Sequence, residues 1–372
     1  DASRAVGVST QLISQDLKAP YVASIQQEYA EVRERHRDKV ARTEWLTLEQ
    51  ARANATPIDW SAYTPVKPPV LGLHQLTPAL EALLPYIDWT PFFQAWELAG
   101  RFPQILNDAI VGQQAQALYQ DAQIMLQQLL AENWLEARAV IGLFPANQVG
   151  QDDIEVYSDD TRQTVRCVLH HLRQQTVKPP GRPNQCLSDY IAPKTSGIAD
   201  YIGAFAVTTG LGIDSRIAEF ERAHDDYRSI LLKALADRFA EALAEYTHQQ
   251  VRQVYWGYAA TETLDNEALI AERYQGIRPA PGYPACPVHL EKAALWTLLE
   301  PERHAGMILT ESFAMLPASS VSGFYFAHPA AHYFGVGKIN RDQVEDYARR
   351  TGMTVATAEY WLAPNLGYDA QS

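Results

Sequence analysis

The chain has 372 residues, of which 47% are hydrophobic, and its 31 basic and 44 acidic residues give a net charge of −13 at pH 7. This apolar content is ample for the core of one large domain or two ordinary ones. The negative charge is spread along the sequence, so nucleic acids and anionic membranes, which repel it, are disfavoured as partners.

Features at the level of the whole sequence favour a cytoplasmic location. We find no basic-then-apolar signal segment and no apolar run of about 18 residues, the length that a spanning helix needs. Three cysteines, Cys167, Cys186 and Cys286, are an odd number without paired spacing, which favours reduced thiols over a disulfide framework. The first residue is Asp1 rather than Met, so we expect a piece of a longer polypeptide.

The first 74 residues differ in composition from the rest. Residues 21–39 carry many charges at helical spacing with a narrow apolar stripe, which predicts an exposed helix. Four prolines between residues 57 and 69 favour an extended, semi-rigid course over a domain surface. We therefore expect a linker at 21–74 and an independent domain at 75–372.

From residue 77 on, two periodicities are mixed. Apolar residues recur every three to four positions in some segments, and short β-branched and aromatic runs lie between turn formers in others. Helices are predicted at 77–84, at 107–131, once or twice over 216–254, and in the tail around 344–361. Strands are predicted at 140–144, 154–157, 165–169 and 201–207, and the nearly all-apolar last one should be central. Because helices and strands do not alternate regularly, we expect an α+β fold.

Residues 278–289, reading Arg-Pro-Ala-Pro-Gly-Tyr-Pro-Ala-Cys-Pro-Val-His, have a restricted backbone. Each proline fixes its own φ, pushes the preceding residue toward extended conformations and cannot donate to a sheet, so we expect a stiff, open strand at a sheet edge or across a cleft. Backbone groups of Ala280 and Gly282 could pair with a flat heterocycle such as adenine, which glycine would allow to approach closely. On composition alone, a proline-rich connection between packed elements is the better interpretation.

This run resembles, apart from one variable position, the S-adenosylmethionine-binding motif in the activation domain of cobalamin-dependent methionine synthase. Other stretches agree in the family's order, so that the resemblance covers nearly the whole chain: 86–93, 142–147, 200–207, 309–315 and 361–368. It implies a single curved domain with a bent, mainly antiparallel central sheet flanked by long helices. It also implies that residues 1–20 are a remnant of the preceding cobalamin-binding domain.

The resemblance implies a role in reactivation. The domain would bind S-adenosylmethionine as methyl donor for reductive remethylation of inactive cob(II)alamin, with an electron from flavodoxin or an equivalent reductase. This reaction sustains methionine synthesis from homocysteine and methyltetrahydrofolate, which the isolated methyltransferase fragment would not itself carry out. Cobalamin would be bound by another domain of the same polypeptide, and zinc would belong to the parent protein only. The alternative is a non-catalytic module that senses S-adenosylmethionine or docks a flavoprotein.

S-adenosylmethionine carries a sulfonium, an ammonium, a carboxylate and adenosine, so its pocket needs a cation, an anion and an aromatic face. Arg278, at the head of the proline run, could grip the carboxylate bidentately, or form only a surface salt bridge. Asp88 is a carboxylate in an apolar setting. It could accept a hydrogen bond from the ligand's ammonium or ribose, or cap a helix that starts near Thr90.

Further candidates follow from the resemblance. Tyr333 matches a tyrosine that the family places against the ligand, and Phe334 departs from the Tyr-Tyr pair of some relatives, so only a backbone contact would survive there. Tyr283 is either a pocket wall or a packed core aromatic. His289 ends the motif and either contacts the ligand or is structural.

Two acidic residues complete the set. Asp237, Glu241 and Glu245 form a stripe at four-residue spacing, which is usually just solvated. The resemblance singles out Glu241 and Glu272 as supporting acids near the activated methyl group. The sequence shows no covalent catalyst and no complete set of metal ligands.

Overall fold

The computed structural model describes residues 2–41 and 44–370, and over these ranges the chain has twelve α-helices and eight β-strands. The helices are α1 (Ala2–Ile13), α2 (Lys18–Ala41), α3 (Leu48–Ala53), α4 (Thr90–Ala95), α5 (Gly112–Ala131), α6 (Ile213–Arg222), α7 (Asp226–Gln250), α8 (Asn266–Ile270), α9 (Glu291–Leu299), α10 (Pro301–Ala305), α11 (Arg341–Thr351) and α12 (Val355–Leu362). The strands are β1 (Gly72–Leu76), β2 (Glu136–Val149), β3 (Asp153–Tyr157), β4 (Val165–His170), β5 (Asp200–Leu211), β6 (Ile308–Leu309), β7 (Met315–Leu316) and β8 (Ser320–Tyr325).

Six of these strands form one antiparallel sheet. Its order is β4-β3-β2-β5-β8, and β1 pairs with β2 on the same side as β3, along an earlier part of the strand. Strand β5 lies between β2 and β8 and is buried along nearly its whole length, as its apolar sequence predicts. The predicted α+β class with a mainly antiparallel sheet is confirmed, and the predicted curvature stays a prediction. Strand β8 forms one edge of the sheet.

Helices cover both faces of the sheet, and alternate residues of β2 belong to different cores. Ile141 packs with residues of α5 and α7, while its neighbour Val140 packs with residues of α9 and α10. The tail helices α11 and α12 build a third, smaller cluster around Tyr347. No helix in the described ranges carries an apolar stretch long enough to cross a membrane.

Helix α7 is the longest helix in the described ranges, and it packs against strand β5 of the sheet. Its first turn is capped by Asp225, whose side chain accepts a hydrogen bond from the backbone of Arg228, and its inner face buries Leu235, Phe239 and Leu243 completely. The sequence prediction of one or two helices over 216–254 is confirmed, since α6 and α7 share this region. Beyond Gln250, the helix continues as a π-helical turn over Val251–Tyr255, in which Arg252 is buried.

Two predicted helix boundaries are wrong. Residues Leu80–Tyr86 form a 3₁₀-helix rather than an α-helix at 77–84, and 3₁₀ turns are frequent in short connecting segments such as this one. The helix predicted from residue 107 begins at Gly112. The Asp108 side chain accepts hydrogen bonds from the backbone of Ile110 and Val111, and this local turn competes with helix. Strands β1 and β8 were not predicted.

The second half of the predicted linker packs against the domain. Leu46 donates a backbone hydrogen bond to Gln175 over 3.0 Å, and Arg52 of α3 forms ion pairs with Asp152 at 2.6 Å and Asp346 at 2.7 Å. The two ion pairs join α3 to the loop between β2 and β3 and to helix α11, which are far apart in sequence. We therefore propose that the domain begins near residue 44 and that α1 and α2 precede it; the assignment of residues 1–20 to a preceding domain stays a prediction.

Arg173 is a completely buried charge in the same region. Its guanidinium donates to Asp152 over 2.8 Å, to Asp189 over 2.7 Å and to the carbonyl of Asn184 over 2.8 Å, so its charge is neutralised inside the protein. Such a network stabilises the fold only when it is complete, because a lone buried carboxylate is costly.

We predict that Arg173→Met lowers the free energy of unfolding by about 3–5 kcal/mol, because it leaves the buried Asp189 without its arginine and Asp152 with Arg52 alone. The control is Arg341→Met, which removes an arginine from an exposed pair with Glu345 and should leave stability nearly unchanged. Urea unfolding followed by circular dichroism measures both variants. Equal losses would contradict the role of the buried network.

Candidate ligand-binding site

The proline-rich segment begins at the β8 edge of the sheet. Ile277 and Phe326 exchange two backbone hydrogen bonds of 3.0 Å, and the carbonyl of Pro279 accepts from the Phe324 N–H over 2.9 Å. Proline lacks a donor but keeps its acceptor, so it can pair here only through its carbonyl. The predicted edge position is confirmed.

Beyond residue 280 the segment turns, so the expectation of an open strand is wrong there. The N–H of Gly282 donates to the Cys286 carbonyl over 2.8 Å, and the Ala280 carbonyl accepts from Tyr283 over 3.1 Å. Gly282 has a φ of +97°, which glycine adopts easily and which the regular spacing of prolines could not reveal. Two of the backbone groups predicted to face adenine are therefore already paired within the chain.

A cavity of about 460 Å³ lies between this segment and α7, within the range of small-molecule sites. Its wall is aromatic and aliphatic apart from two carboxylates and one guanidinium. The residues that line it are Phe205, Glu241, Glu272, Arg278, Pro279, Ala280, Tyr283, Pro284, Ala285, Val321, Tyr333 and Phe334. The structure thus brings together most of the predicted site residues.

A second cavity of about 290 Å³ adjoins the first and shares Glu241, Glu272 and Arg278 with it. Asp88 lines this second cavity. Its Oδ1 also accepts a hydrogen bond from the backbone of Thr90, the first residue of α4, over 2.9 Å. Both alternatives for Asp88 are therefore compatible with its position, because a carboxylate has further lone pairs for a ligand.

Arg278 is held by four groups of the protein. Its Nη2 lies 2.7 Å from Oε2 of Glu245, its Nη1 donates to the Tyr274 hydroxyl over 2.9 Å and lies 3.3 Å from Nδ1 of His248, and its backbone N–H donates to the Tyr333 hydroxyl over 3.0 Å. Burial alone would lower the pKa of Arg278, but Glu245, with smaller contributions from Tyr274, Tyr333 and Glu241, raises it above its ordinary value. The guanidinium stays cationic in the wall of both cavities.

The aromatic candidates form another part of the cavity wall. Tyr283 is 57% exposed and lines the cavity, so it is not a packed core aromatic. Tyr333 also contacts Tyr274 through their hydroxyls at 3.2 Å, and Phe334 offers an apolar ring. These rings can flank a flat aromatic ligand.

Gly282 and His289 are exposed and lie outside the cavity lining. A Cβ on Gly282 would lie 2.3 Å from Cε1 of His289, so a larger residue there would require this imidazole to move. The Nδ1 of His289 is 3.2 Å from Nζ of Lys292. Neither residue lines the cavity, and their predicted ligand contacts stay predictions.

Two carboxylates give the cavity its negative side. Glu241 lies on α7, and Glu272 follows α8 with a φ of +56°. Burial raises the pKa of Glu272, an effect that Arg278 opposes. The pair faces a region where a cation would be stabilised.

Sequence reasoning grouped Glu245 with a solvated stripe and missed His248 and Tyr274. Glu241, Glu245, His248 and Arg252 are separated by four, three and four positions, which places them on one side of the helix. That spacing was the available signal, but acidic residues on a helix are usually exposed. Within the described part of the chain, no group of three or more His, Cys, Asp or Glu side chains is arranged to hold a metal ion.

The fold and the site define an α+β domain with a small-molecule cleft beside an edge strand. Residues 79–352 match the family model described as vitamin B12 dependent methionine synthase, activation domain. The chain is also similar to a solved structure, the crystal structure of the MetH reactivation domain bound to AdoHcy, with 61% sequence identity and a TM-score of 0.85 over 88% of this chain and 100% of that one. The chain therefore belongs to the activation-domain family of vitamin B12-dependent methionine synthase, a methyltransferase.

The turn at Gly282 yields a test of the cavity wall. Gly337→Ala places a Cβ at a φ of +72° in open space, and strain alone should cost about 1 kcal/mol. Gly282→Ala should cost more, because the new Cβ also displaces His289. In a His289→Ala background this excess should disappear, as measured by urea unfolding. If the excess persists, contact with His289 is not the reason why Gly282→Ala costs more stability than Gly337→Ala.

Proposed function

We propose that this domain binds S-adenosylmethionine and presents its methyl group for the reductive reactivation of cobalamin held by another domain of the same polypeptide. The observation that carries the proposal is one cavity that combines a fixed guanidinium, two carboxylates and aromatic walls. These are the groups that an amino acid carboxylate, a sulfonium and an adenine need. The relative bound to AdoHcy, S-adenosylhomocysteine, supports this choice of ligand.

Each site residue has a proposed task. Arg278 binds the ligand's carboxylate, and Asp88 binds its ammonium or ribose. Glu241 and Glu272 stabilise the sulfonium and keep the methyl group directed away from the wall. The wall around adenosine is formed by Ala280, Tyr283, Tyr333 and Phe334, while Gly282 and His289 lie just outside it.

The proposed chemistry is positioning. S-adenosylmethionine already carries an activated methyl group, and the acceptor is the reduced cobalt of cobalamin, which the other domain supplies. The residues of this chain hold the sulfonium at a fixed distance and angle and exclude water from it. We propose flavodoxin or an equivalent reductase as the electron donor, in the cytoplasm. The isolated domain is not expected to turn over homocysteine.

A domain that only senses S-adenosylmethionine is the second candidate. The same cavity would serve it, but transfer to cobalamin would not depend on this chain. Corrin absorption distinguishes the two. The chain is mixed with the separate cobalamin domain, S-adenosylmethionine and reduced flavodoxin, and methylcobalamin should form faster than without the chain. Equal rates would leave only the sensing role.

We predict that Arg278→Ala weakens S-adenosylmethionine binding by about 10- to 100-fold, or roughly 1.5–3 kcal/mol, because a charged hydrogen bond is lost. Isothermal titration calorimetry on the folded variant measures this loss. Arg341→Ala, which removes an exposed arginine outside the cavity wall, is the control and should bind as the wild type does. Unchanged affinity of the Arg278 variant would exclude Arg278 from the site.

A further inference from the structure

Glu245 occupies a special place behind the cavity. It is 7% exposed, lies on α7 and contacts two arginines. Its Oε2 pairs with Arg278 at 2.7 Å, while its Oε1 lies 3.9 Å from Nη1 of Arg252, too far for a hydrogen bond. Arg252 is itself paired with Glu262 at 2.7 Å. Glu245 is therefore a buried carboxylate with a guanidinium near each of its two oxygens.

The contacts of the Arg278 guanidinium involve its two terminal nitrogens. Nη2 is paired with Glu245, and Nη1 contacts Tyr274 and His248. Burial, then Arg252 and Arg278, lower the pKa of His248 well below its ordinary value, so the imidazole is neutral and its Nδ1 can accept. Among the residues that the structure describes, none accepts a hydrogen bond from Nε of Arg278, which leaves this atom for a ligand.

A free arginine side chain loses conformational entropy when it binds an anion, because several of its bonds can no longer rotate. Here the protein has already fixed the guanidinium, so a ligand carboxylate meets a cation in one orientation. Without Glu245, the guanidinium would keep only the neutral contacts to Tyr274 and His248. The guanidinium would stay charged, but it would no longer be held in one orientation.

We propose that Glu245 is a positioning residue that makes the cavity selective for ligands bearing a carboxylate. It touches no ligand atom itself and acts through Arg278. This inference rests on the proposed function, because it takes the amino acid carboxylate of an S-adenosyl ligand as the group that Arg278 binds.

The test compares two ligands by calorimetry. S-adenosylhomocysteine carries the amino acid carboxylate and ammonium, and 5′-methylthioadenosine has the adenosine and sulfur without either, so a selective loss is assigned to the carboxylate by the double-mutant cycle with Arg278. Glu245→Gln keeps the size of the side chain and removes its charge. We expect it to weaken S-adenosylhomocysteine binding by about tenfold and to leave methylthioadenosine within about twofold. Glu345→Gln, in the exposed pair with Arg341, should change neither.

A double-mutant cycle shows whether Glu245 acts through Arg278. In an Arg278→Ala background, Glu245→Gln should cause no further loss of S-adenosylhomocysteine binding, because the residue to be positioned is gone. Should Glu245→Gln fold poorly, Tyr274→Phe removes another anchor of the same guanidinium and should show the same selective loss.

Three outcomes would overturn the inference. Unchanged binding of S-adenosylhomocysteine would show that Arg278 needs no positioning, and tighter binding would show that Glu245 competes with the ligand. Equal losses for both ligands would show a general structural role. Failure of the wild-type chain to bind S-adenosylhomocysteine is a different result, which overturns the proposed function itself.

Discussion

The need to keep Arg278 charged in the wall of a largely apolar cavity constrains the rest of the site. A buried guanidinium requires an anion close by, and Glu245 provides it at 2.7 Å. The neighbouring Tyr274 hydroxyl and His248 imidazole accept from Nη1, so the ion is held without filling the cavity. Helix α7 must therefore present a polar side toward the protein interior, although the rest of its inner face is apolar.

The sheet supplies the second half of the site. Because β8 is an edge strand, its backbone can pair with a proline-rich segment that offers carbonyls but few N–H groups. The carbonyl of Pro279 is fixed in this way, and the arginine that precedes it is placed opposite α7. The turn at Gly282 then folds the segment back, so that Tyr283 and Pro284 close the cavity. A rigid edge thus determines where the ligand can lie.

Much of this arrangement could be predicted from the sequence. Apolar periodicity indicated α7 and β5, and the proline run indicated an edge segment, because these features depend on local composition. The resemblance to a family named the cavity residues that a pattern alone does not mark, such as Glu241 and Tyr333. The turn at Gly282 is held by local hydrogen bonds, but the prolines around it favour extended backbone and hid it. The inward role of Glu245 was not predictable, because it depends on Arg278, which is far away in the sequence. Strand β8 was missed although it is as long as β4, because Gly323 interrupts its run of strand-forming residues.

The central claim is that the cleft between β8, the proline-rich segment and α7 binds an S-adenosyl ligand through Arg278. A crystal structure of the chain with S-adenosylhomocysteine tests it most directly. The account predicts the ligand in the 460 Å³ cavity, with its carboxylate about 2.8 Å from Nε of Arg278 and Glu245 still paired to Nη2. A ligand bound elsewhere, or bound in the cavity with its carboxylate directed away from Arg278, would contradict the account.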